Sequence, residues 1–215
     1  MITIQRFVCN PIQENTYVVS DETGEAVIID CGAFDDTERQ AIRTYIDENG
    51  LRPVSQIATH AHLDHIFGTR FIYDTYGLKL DLHREEASVR ERFPMQAAAL
   101  LNLNVTLDDL APVGRWLDGN DTVTFGTHRF DTIETPGHTP GGVFYYCKDE
   151  AVAFSGDTLF RSSIGRTDFP GGSMFMLIQS LRAVCQLPDD TTIYAGHGEA
   201  TTIGREVAHN PYLDR

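Results

Sequence analysis

The segment Thr59-His60-Ala61-His62-Leu63-Asp64-His65 decides how this sequence is interpreted. It packs three imidazoles and a carboxylate together, directly after the strand-like run 53–58. On extended backbone, side chains alternate between two faces, so His60, His62 and Asp64 are predicted on one side and His65 on the other. Such groups are the usual ligands of borderline divalent cations, and without a cation they would repel one another or lose solvation. The segment is therefore predicted to serve two neighbouring metal positions rather than to form a solvated polar loop.

The composition fits one globular domain, predicted to span residues 1–215. The hydrophobic share is 41% and the charged share 22%, and no Pro/Gly/Ser-rich linker divides the chain. Because the sequence shows neither an apolar run of membrane-span length nor a signal-peptide core, we expect a cytoplasmic protein without a membrane partner. The formal net charge of −14 argues against nucleic-acid binding. The four cysteines form no CxxC pair, so neither a disulfide framework nor a thiolate zinc site is indicated.

Strand-like and helix-like runs alternate along the chain. The first three predicted strands form a meander, and a helix that begins near Asp35 and stops at Gly50 leads into the strand before Thr59. Residues 84–110 are predicted to be mostly helical, with a break at Pro94. Their apolar residues, among them Met95, are expected to cover core or a dimer surface in preference to acting as a substrate lid. Further strands and two closing helices fill the second half of the chain.

Five predicted strands end immediately before a residue that can bind a metal or orient a ligand. These residues are Asp30, His60, His138, Asp157 and His197. Groups at the carboxyl ends of strands converge on one edge of a sheet, which is where α/β proteins place their ligand clefts. We therefore expect the five loops to meet at one site.

Seven side chains are enough for two divalent metal ions. We assign His60, His62 and His138 to one ion, and Asp64, His65 and His197 to the other. Asp157 can bridge them, because a carboxylate offers one oxygen to each ion. Each position stays open to water, which indicates catalysis rather than a structural site. The predicted nucleophile is a metal-bound hydroxide, with zinc as the default metal and iron or manganese as alternatives that accept the same ligands.

Asp30 has no ligand role in this assignment. It is predicted to act from outside the ligand shell, as an acceptor that orients a histidine or a loop N–H group. The remaining histidines, His83, His128 and His209, are interpreted as ordinary core or surface residues.

Five motifs resemble, in order and spacing, the signatures of the metallo-β-lactamase fold superfamily: Asp30-Cys31-Gly32, the 60–65 segment, Pro136-Gly137-His138-Thr139, Ser155-Gly156-Asp157 and Gly196-His197-Gly198. The resemblance implies an α/β fold, an αββα sandwich of two mixed β-sheets flanked by helices. Within the superfamily the sequence is most similar to glyoxalase II-like hydrolases. That similarity implies the seven ligands named above, a small-molecule thioester substrate, and a catalytic role for Asp64 in addition to metal binding.

The segment Ile164–Gly171 is similar to the loop that forms one wall of the thioester pocket in short relatives of glyoxalase II. Its guanidinium, on Arg166, is a candidate to bind the carboxylate of an acidic substrate. The alternative is that Arg166 pairs with Asp168 inside the loop. The sequence leaves these two interpretations equal.

Two other functions stay open. One is a mononuclear iron persulfide dioxygenase of the same fold, with the iron held by His60, His138 and Asp157. The other is a non-catalytic interaction module stabilised by metal, which predicts a coordinatively closed site. The acyl group, the thiol carrier and a homo-oligomeric state are also left open.

Overall fold

Two six-stranded β-sheets face each other in the computed structural model, which describes residues 1–213. The first sheet is built from the first half of the chain, and its strands lie side by side in sequence order. They are β1 (Ile2–Cys9), β2 (Glu14–Asp21), β3 (Glu25–Ile29), β4 (Arg52–Ile57), β5 (Leu80–His83) and β6 (Val113–Leu117). The first three pair antiparallel, and β3 to β6 pair parallel, so this sheet is mixed.

The second sheet uses the second half of the chain. Its main strands are β7 (Thr122–Phe125), β8 (His128–Glu134), β9 (Val143–Cys147) and β10 (Val152–Gly156). The hairpin of β11 (Leu159–Phe160) and β12 (Ser163–Ile164) lies outside the sheet, which is completed by β13 (Thr192–Ala195) and β14 (Thr201–Thr202). The order across the sheet is β14-β13-β10-β9-β8-β7, and only β10 and β13 pair parallel.

Strand residues alternate between two separate cores. In β3, Val27 and Ile29 face the second sheet, whereas Ala26 and Ile28 face the helices on the outside of the first sheet. The central core between the sheets includes Tyr145, which has no exposed surface. A sheet covered on both faces requires strands that are apolar on both faces. This is why residues 26–29 of β3 form a continuous hydrophobic run.

Among residues 1–213, seven α-helices cover the outer faces: α1 (Asp36–Glu48), α2 (Leu63–Ile66), α3 (Thr69–Tyr76), α4 (Ala87–Glu91), α5 (Phe93–Leu101), α6 (Met174–Val184) and α7 (Ile203–His209). The first five belong to the half that forms the first sheet, and α6 and α7 pack on the second sheet. The predicted αββα sandwich is therefore confirmed. Within residues 1–213 no helix is long and apolar enough to span a bilayer.

The helical prediction for residues 84–110 is correct in part. The predicted break is present but lies at Arg92, where α4 ends and α5 begins, so that Pro94 falls in the first turn of α5, where its missing N–H costs nothing. The helix ends at Leu101, because Asn102 adopts the left-handed conformation with φ 53°. A single 3₁₀ turn, Leu107–Asp109, follows before β6.

Candidate metal centre

The strand ends converge as the sequence predicts. Strands β3, β4, β8, β10 and β13 end at Ile29, Ile57, Glu134, Gly156 and Ala195, and each is followed by a short loop that carries one of the predicted groups. The structure brings together all seven predicted ligands, which we call the His/Asp cluster: His60, His62, Asp64, His65, His138, Asp157 and His197.

The backbone of the 60–65 segment differs from the extended form that we predicted. The chain is extended only as far as His62, which is the N-cap of α2, and Asp64 and His65 lie on that short helix. Consecutive residues on a helix are separated by about 100°. The side chains of Asp64 and His65 therefore do not point to opposite sides, as they would on an extended strand. Both belong to one ligand group, whereas His60 and His62 on the preceding loop belong to the other.

The first group is formed by His60, His62 and His138. Their available nitrogens lie within 4.8 Å of one another, and His62 Nδ1 is 2.9 Å from His138 Nε2. The far nitrogens of two of the rings are already engaged. His138 Nδ1 is 2.7 Å from the carbonyl oxygen of Arg166, and His60 Nδ1 is 3.2 Å from the Thr59 hydroxyl. These contacts orient the rings so that the other nitrogen points inward.

The second group is formed by Asp64, His65 and His197, again within 4.8 Å. His197 Nε2 lies 3.2 Å from Asp64 Oδ2, and its Nδ1 lies 3.1 Å from the carbonyl oxygen of Gln13. The carboxylate of Asp157 stands between the two groups. It is 3.6 Å from His138 on one side and 3.4 Å and 3.6 Å from His65 and His197 on the other. This is the position that a bridging ligand requires.

Several polar atoms of the His/Asp cluster are buried without a hydrogen-bond partner. They are His60 Nε2, His65 Nε2 and Asp157 Oδ1. Leaving one buried polar group unpaired costs about 1–3 kcal/mol, so three in one place are not a stable arrangement by themselves. Divalent cations at the centre of the cluster would satisfy them, and the donor set of imidazole and carboxylate fits zinc, iron or manganese.

The ionisation of the cluster also suits cations. Burial lowers the pKa of His60, and together with His138 it lowers the pKa of His62 to about 3, so both rings are neutral and keep their lone pairs. Burial opposes charge on Asp157 as well, but the neighbouring His65 and His138 outweigh it and hold the pKa of that carboxyl low. Burial likewise opposes charge on His65, yet Asp157 and Asp64 raise its pKa. The carboxylates thus draw positive charge into the second group, and a cation bound there would displace the proton of His65.

Two glycines allow the loops to approach this closely. A Cβ at Gly196 would lie 2.3 Å from Asp157 Oδ1 and 2.6 Å from His65 Cε1. A Cβ at Gly156, whose φ is +47°, would lie 2.2 Å from the Thr59 hydroxyl. Both positions therefore require glycine, one for space and the other for space and conformation.

Asp30 lies behind the cluster, not in it. One of its carboxylate oxygens accepts the Thr59 N–H at 2.6 Å, and the other accepts the Thr59 hydroxyl at 2.7 Å. The second oxygen is also 3.2 Å from His65 Nδ1. Asp30 holds a positive φ of 52°, a strained conformation for a residue with a side chain, which indicates that these contacts fix its backbone.

A residue that the sequence analysis missed connects the two halves of the site. Glu86 has no exposed surface, and its two carboxylate oxygens accept the N–H groups of Ala61 and Gly141, each at 2.7 Å. Ala61 lies between two predicted ligands, and Gly141 lies in the loop that carries His138. Nothing in the local sequence distinguishes Glu86 from the exposed Glu85 beside it, because the function of its carboxylate depends on a contact across the sandwich.

Arg166 is engaged within its own loop. Its guanidinium donates from Nε and Nη2 to the two carboxylate oxygens of Asp168, both at 2.7 Å, and lies 3.9 Å above the ring of Phe169. The structure therefore shows the pairing that the second interpretation of this residue expected.

Helix α5 also belongs to the site. Its side chains Met95, Ala99 and Leu100 line a cavity that opens onto the His/Asp cluster and that is also lined by Phe169. Phe93 and Ala97, on the other face of the helix, are buried in the core. The expectation that this apolar region only covers core or a dimer surface was therefore incomplete.

Comparisons with known proteins agree with this geometry. The family model of the metallo-beta-lactamase superfamily matches residues 9–197. A hydroxyacylglutathione hydrolase, GloC, of Haemophilus influenzae is 34% identical over 207 residues, which cover 94% of this chain and 93% of that protein.

Two solved structures have the same fold and comparable length. The crystal structure of the B3 metallo-beta-lactamase BLEG-1 is 38% identical, with a TM-score of 0.89 over 99% of this chain and 100% of that one. The crystal structure of TTHA1623 in a di-iron-bound form is 34% identical, with a TM-score of 0.84 over 97% of this chain and 100% of that one.

Proposed function

The chain belongs to the metallo-beta-lactamase superfamily, and on that premise we propose that it is a binuclear metallohydrolase that cleaves thioesters. The observation that carries the proposal is the division of seven side chains into two groups of three with Asp157 between them. Three buried atoms of this cluster, His60 Nε2, His65 Nε2 and Asp157 Oδ1, lack hydrogen-bond partners. The similarity to a hydroxyacylglutathione hydrolase supports a thioester as the scissile group.

Two divalent cations, when bound, would supply Lewis acidity for the scissile carbonyl and make a water acidic enough to attack as hydroxide near neutral pH. The protein's own contribution is to hold the ligands in place and to move a proton. Asp64 lines the cavity, and its Oδ2 lies next to His197 Nε2. We assign this carboxylate to take up the proton of the attacking water and return it to the leaving thiolate, so that acid and thiol are the products.

Metal quantitation on the purified protein, combined with a substrate panel, tests the proposal. We expect about two metal ions per chain, since each group provides three ligands and shares Asp157. Thioesters should be hydrolysed, and hydrolysis should stop on chelation and return when zinc, iron or manganese is added back. Lactones, a β-lactam and glutathione persulfide complete the panel.

The same measurements distinguish the rival functions. One iron per chain, together with oxygen uptake when glutathione persulfide is added, would show that the protein is a dioxygenase and not a hydrolase. Faster hydrolysis of the β-lactam than of the thioesters would show that the protein resembles BLEG-1 in activity as well as in fold. Two metals without turnover of any compound, together with a site that admits neither water nor an anion, would show a metal-stabilised module.

A further inference from the structure

A cavity of about 720 Å³ opens directly from the His/Asp cluster. His62, Asp64, His138, Asp157 and His197 form its floor. Its volume lies within the range of about 300–1,000 Å³ that is usual for small-molecule sites. A lactoyl-sized group bound at the floor would leave most of this space empty.

The walls beyond the floor are apolar. They are built by α4, α5, the β11–β12 hairpin and the loop that follows the hairpin, and they include Val89, Met95, Leu100, Phe160, Ile164 and Phe169. Met95 and Leu100 are 59% and 53% exposed, so the mouth of the cavity presents large apolar side chains to water. Apolar surface that is continuous with a cluster of polar groups is typical of a ligand site in which the apolar part binds and the polar part reacts.

Most of the polar side chains in these walls are already paired. Of residues 1–213, three polar ones line the cavity outside the floor: Arg92, Gln96 and Arg166. The Gln96 amide accepts the Leu63 N–H and donates to the carbonyl oxygen of Val89. Both carboxylate oxygens of Asp168 neutralise Arg166, whereas Arg92 donates one N–H to the carbonyl oxygen of Pro170 at 3.3 Å and keeps its positive charge.

Within the described part of the chain, an anionic thiol carrier finds one unneutralised cation, Arg92, in an otherwise apolar wall. Glutathione has two carboxylates, and the chain has a formal net charge of −14. Transfer of unpaired carboxylates into an apolar wall is unfavourable, whereas an alkyl chain or an aromatic ring gains free energy for each methylene that leaves water.

We propose that this cavity binds an apolar chain or ring attached to the scissile thioester, so that the enzyme selects hydrophobic thioesters over hydroxyacyl thioesters of charged thiols. The proposal rests on the proposed thioesterase function. The apolar group can stand on the acyl side or on the thiol side of the carbonyl, and the experiment has one arm for each.

In the first arm, kcat/KM is measured for thioesters of the neutral thiol N-acetylcysteamine, with acyl groups from acetyl to octanoyl and with phenylacetyl. In the second arm the acyl group is acetyl, and the thiol varies from ethanethiol to octanethiol, with glutathione for comparison. In one arm kcat/KM should rise by up to about fourfold per buried methylene, then level off as the cavity fills. The arm that rises identifies the side that the cavity holds.

Two matched variants connect the rise to this wall. Leu100→Gln places an amide on the wall, and Leu107→Gln makes the same change at another exposed leucine, outside the cavity. Leu100→Gln should flatten the dependence of kcat/KM on chain length. Leu107→Gln should keep the wild-type dependence.

The outcomes separate this inference from the function on which it rests. Measurable hydrolysis that is flat in both arms, or that is fastest with the glutathione thioester, would overturn the apolar cavity and leave the thioesterase intact. If no thioester is hydrolysed, the proposed thioesterase function is wrong. The affinities of octanoate and acetate for the metal-loaded protein then test whether the cavity binds apolar groups. If octanoate binds more tightly than acetate and Leu100→Gln weakens octanoate binding, the apolar site is supported. Equal affinities for octanoate and acetate reject it.

Discussion

Two clusters of histidine and carboxylate lie at opposite ends of the sandwich, and they are satisfied in opposite ways. At the far ends of β2 and β8, His128 donates from both ring nitrogens, to Asp21 Oδ2 at 3.0 Å and to Glu150 Oε1 at 3.0 Å. Asp21 also accepts the N–H groups of Thr23 and Thr127. We call these three residues, His128, Asp21 and Glu150, the distal cluster. In the His/Asp cluster, by contrast, three buried atoms, His60 Nε2, His65 Nε2 and Asp157 Oδ1, have no hydrogen-bond partner.

The difference shows why ligand-type residues close together are not enough to define a metal site. Asp21, Glu22 and His128 lie near enough to one another to hold a cation, yet their polar atoms bond to neighbouring backbone and side chains. A group that is already paired gains little from a cation, whereas an unpaired buried group gains the whole cost of its desolvation. We therefore expect metal at one end of the sandwich only.

Asp157→Ala should have the largest effect. Its carboxylate lies within 3.6 Å of side chains of both groups, so its loss should weaken both metal positions. We expect the metal affinity to fall by more than about 100-fold, which is more than the loss of a contact outside the ligand shell causes. Metal per chain after gel filtration measures the effect. His128→Gln is the control and should keep both ions. Retention of two ions in Asp157→Ala would rule out the bridging role.

His197→Ala should empty one position and spare the other. His197 belongs only to the second group, and the group of His60, His62 and His138 does not contain it. We expect metal to fall from about two ions to about one per chain, since each group holds one ion. An unchanged stoichiometry would favour a single ion bound by the first group.

Glu86→Gln should weaken metal binding without removing a ligand. Both carboxylate oxygens accept a backbone N–H, and an amide has a single acceptor oxygen, so one buried donor is left facing an NH₂ group. The cost should be about 1–3 kcal/mol of unfolding free energy and about 10- to 100-fold in metal affinity. Competition with a chelator measures the affinity.

Glu85→Gln is the matched control for this change, because Glu85 is exposed and adjacent. It should behave as wild type in both measurements. A loss of stability in Glu86→Gln with unaltered metal affinity would show that Glu86 supports the fold but not the metal loops.

The distal cluster should contribute a pH dependence of stability that does not involve metal. Burial opposes charge on His128, but the hydrogen bonds to Asp21 and Glu150 outweigh it and raise its pKa. The pairing therefore stabilises the folded protein fully below the unfolded pKa of about 6.5 and loses this contribution as pH rises through the raised value. The free energy of unfolding of the metal-loaded wild type should exceed that of metal-loaded His128→Gln, and this difference should be larger at pH 6 than at pH 9. A difference that is constant with pH would show that the ring is neutral.

The sequence predicts the His/Asp cluster well because its information is local. The ligands lie in loops that begin where strands end, and the ends of parallel strands in one sheet share an edge, so Asp157 and His197 can be placed together after β10 and β13. Their approach to His60, which follows a strand of the other sheet, depends on how the two sheets pack. Glu86 and Met95 could not be identified in this way. Their roles depend on contacts between the two halves of the sandwich, and a buried glutamate or an apolar helix face has the same local sequence in many other contexts.

The N-cap at His62 was missed for a related reason. Histidine is a poor cap residue, and its side chain makes no capping hydrogen bond here, so the local sequence does not mark the start of α2. The packing of Leu63 and Ile66 in the core covered by α5 holds this turn helical. Tertiary contacts thus decide a local conformation that propensity leaves open.

Arg166→Ala should have the smallest effect of the five. The guanidinium is committed to Asp168 and stacked on Phe169, and the pair is more than half exposed, where such an ion pair contributes about 0.2–1 kcal/mol. We expect kcat/KM to fall by at most about fivefold, equally for neutral and anionic thioesters, because the loop loosens without the loss of a substrate contact. Asp168→Ala should reproduce the same loss, since it removes the same pair from the other side. A loss of ten- to a hundredfold confined to anionic substrates, and absent in Asp168→Ala, would show instead that Arg166 leaves its partner to bind the substrate.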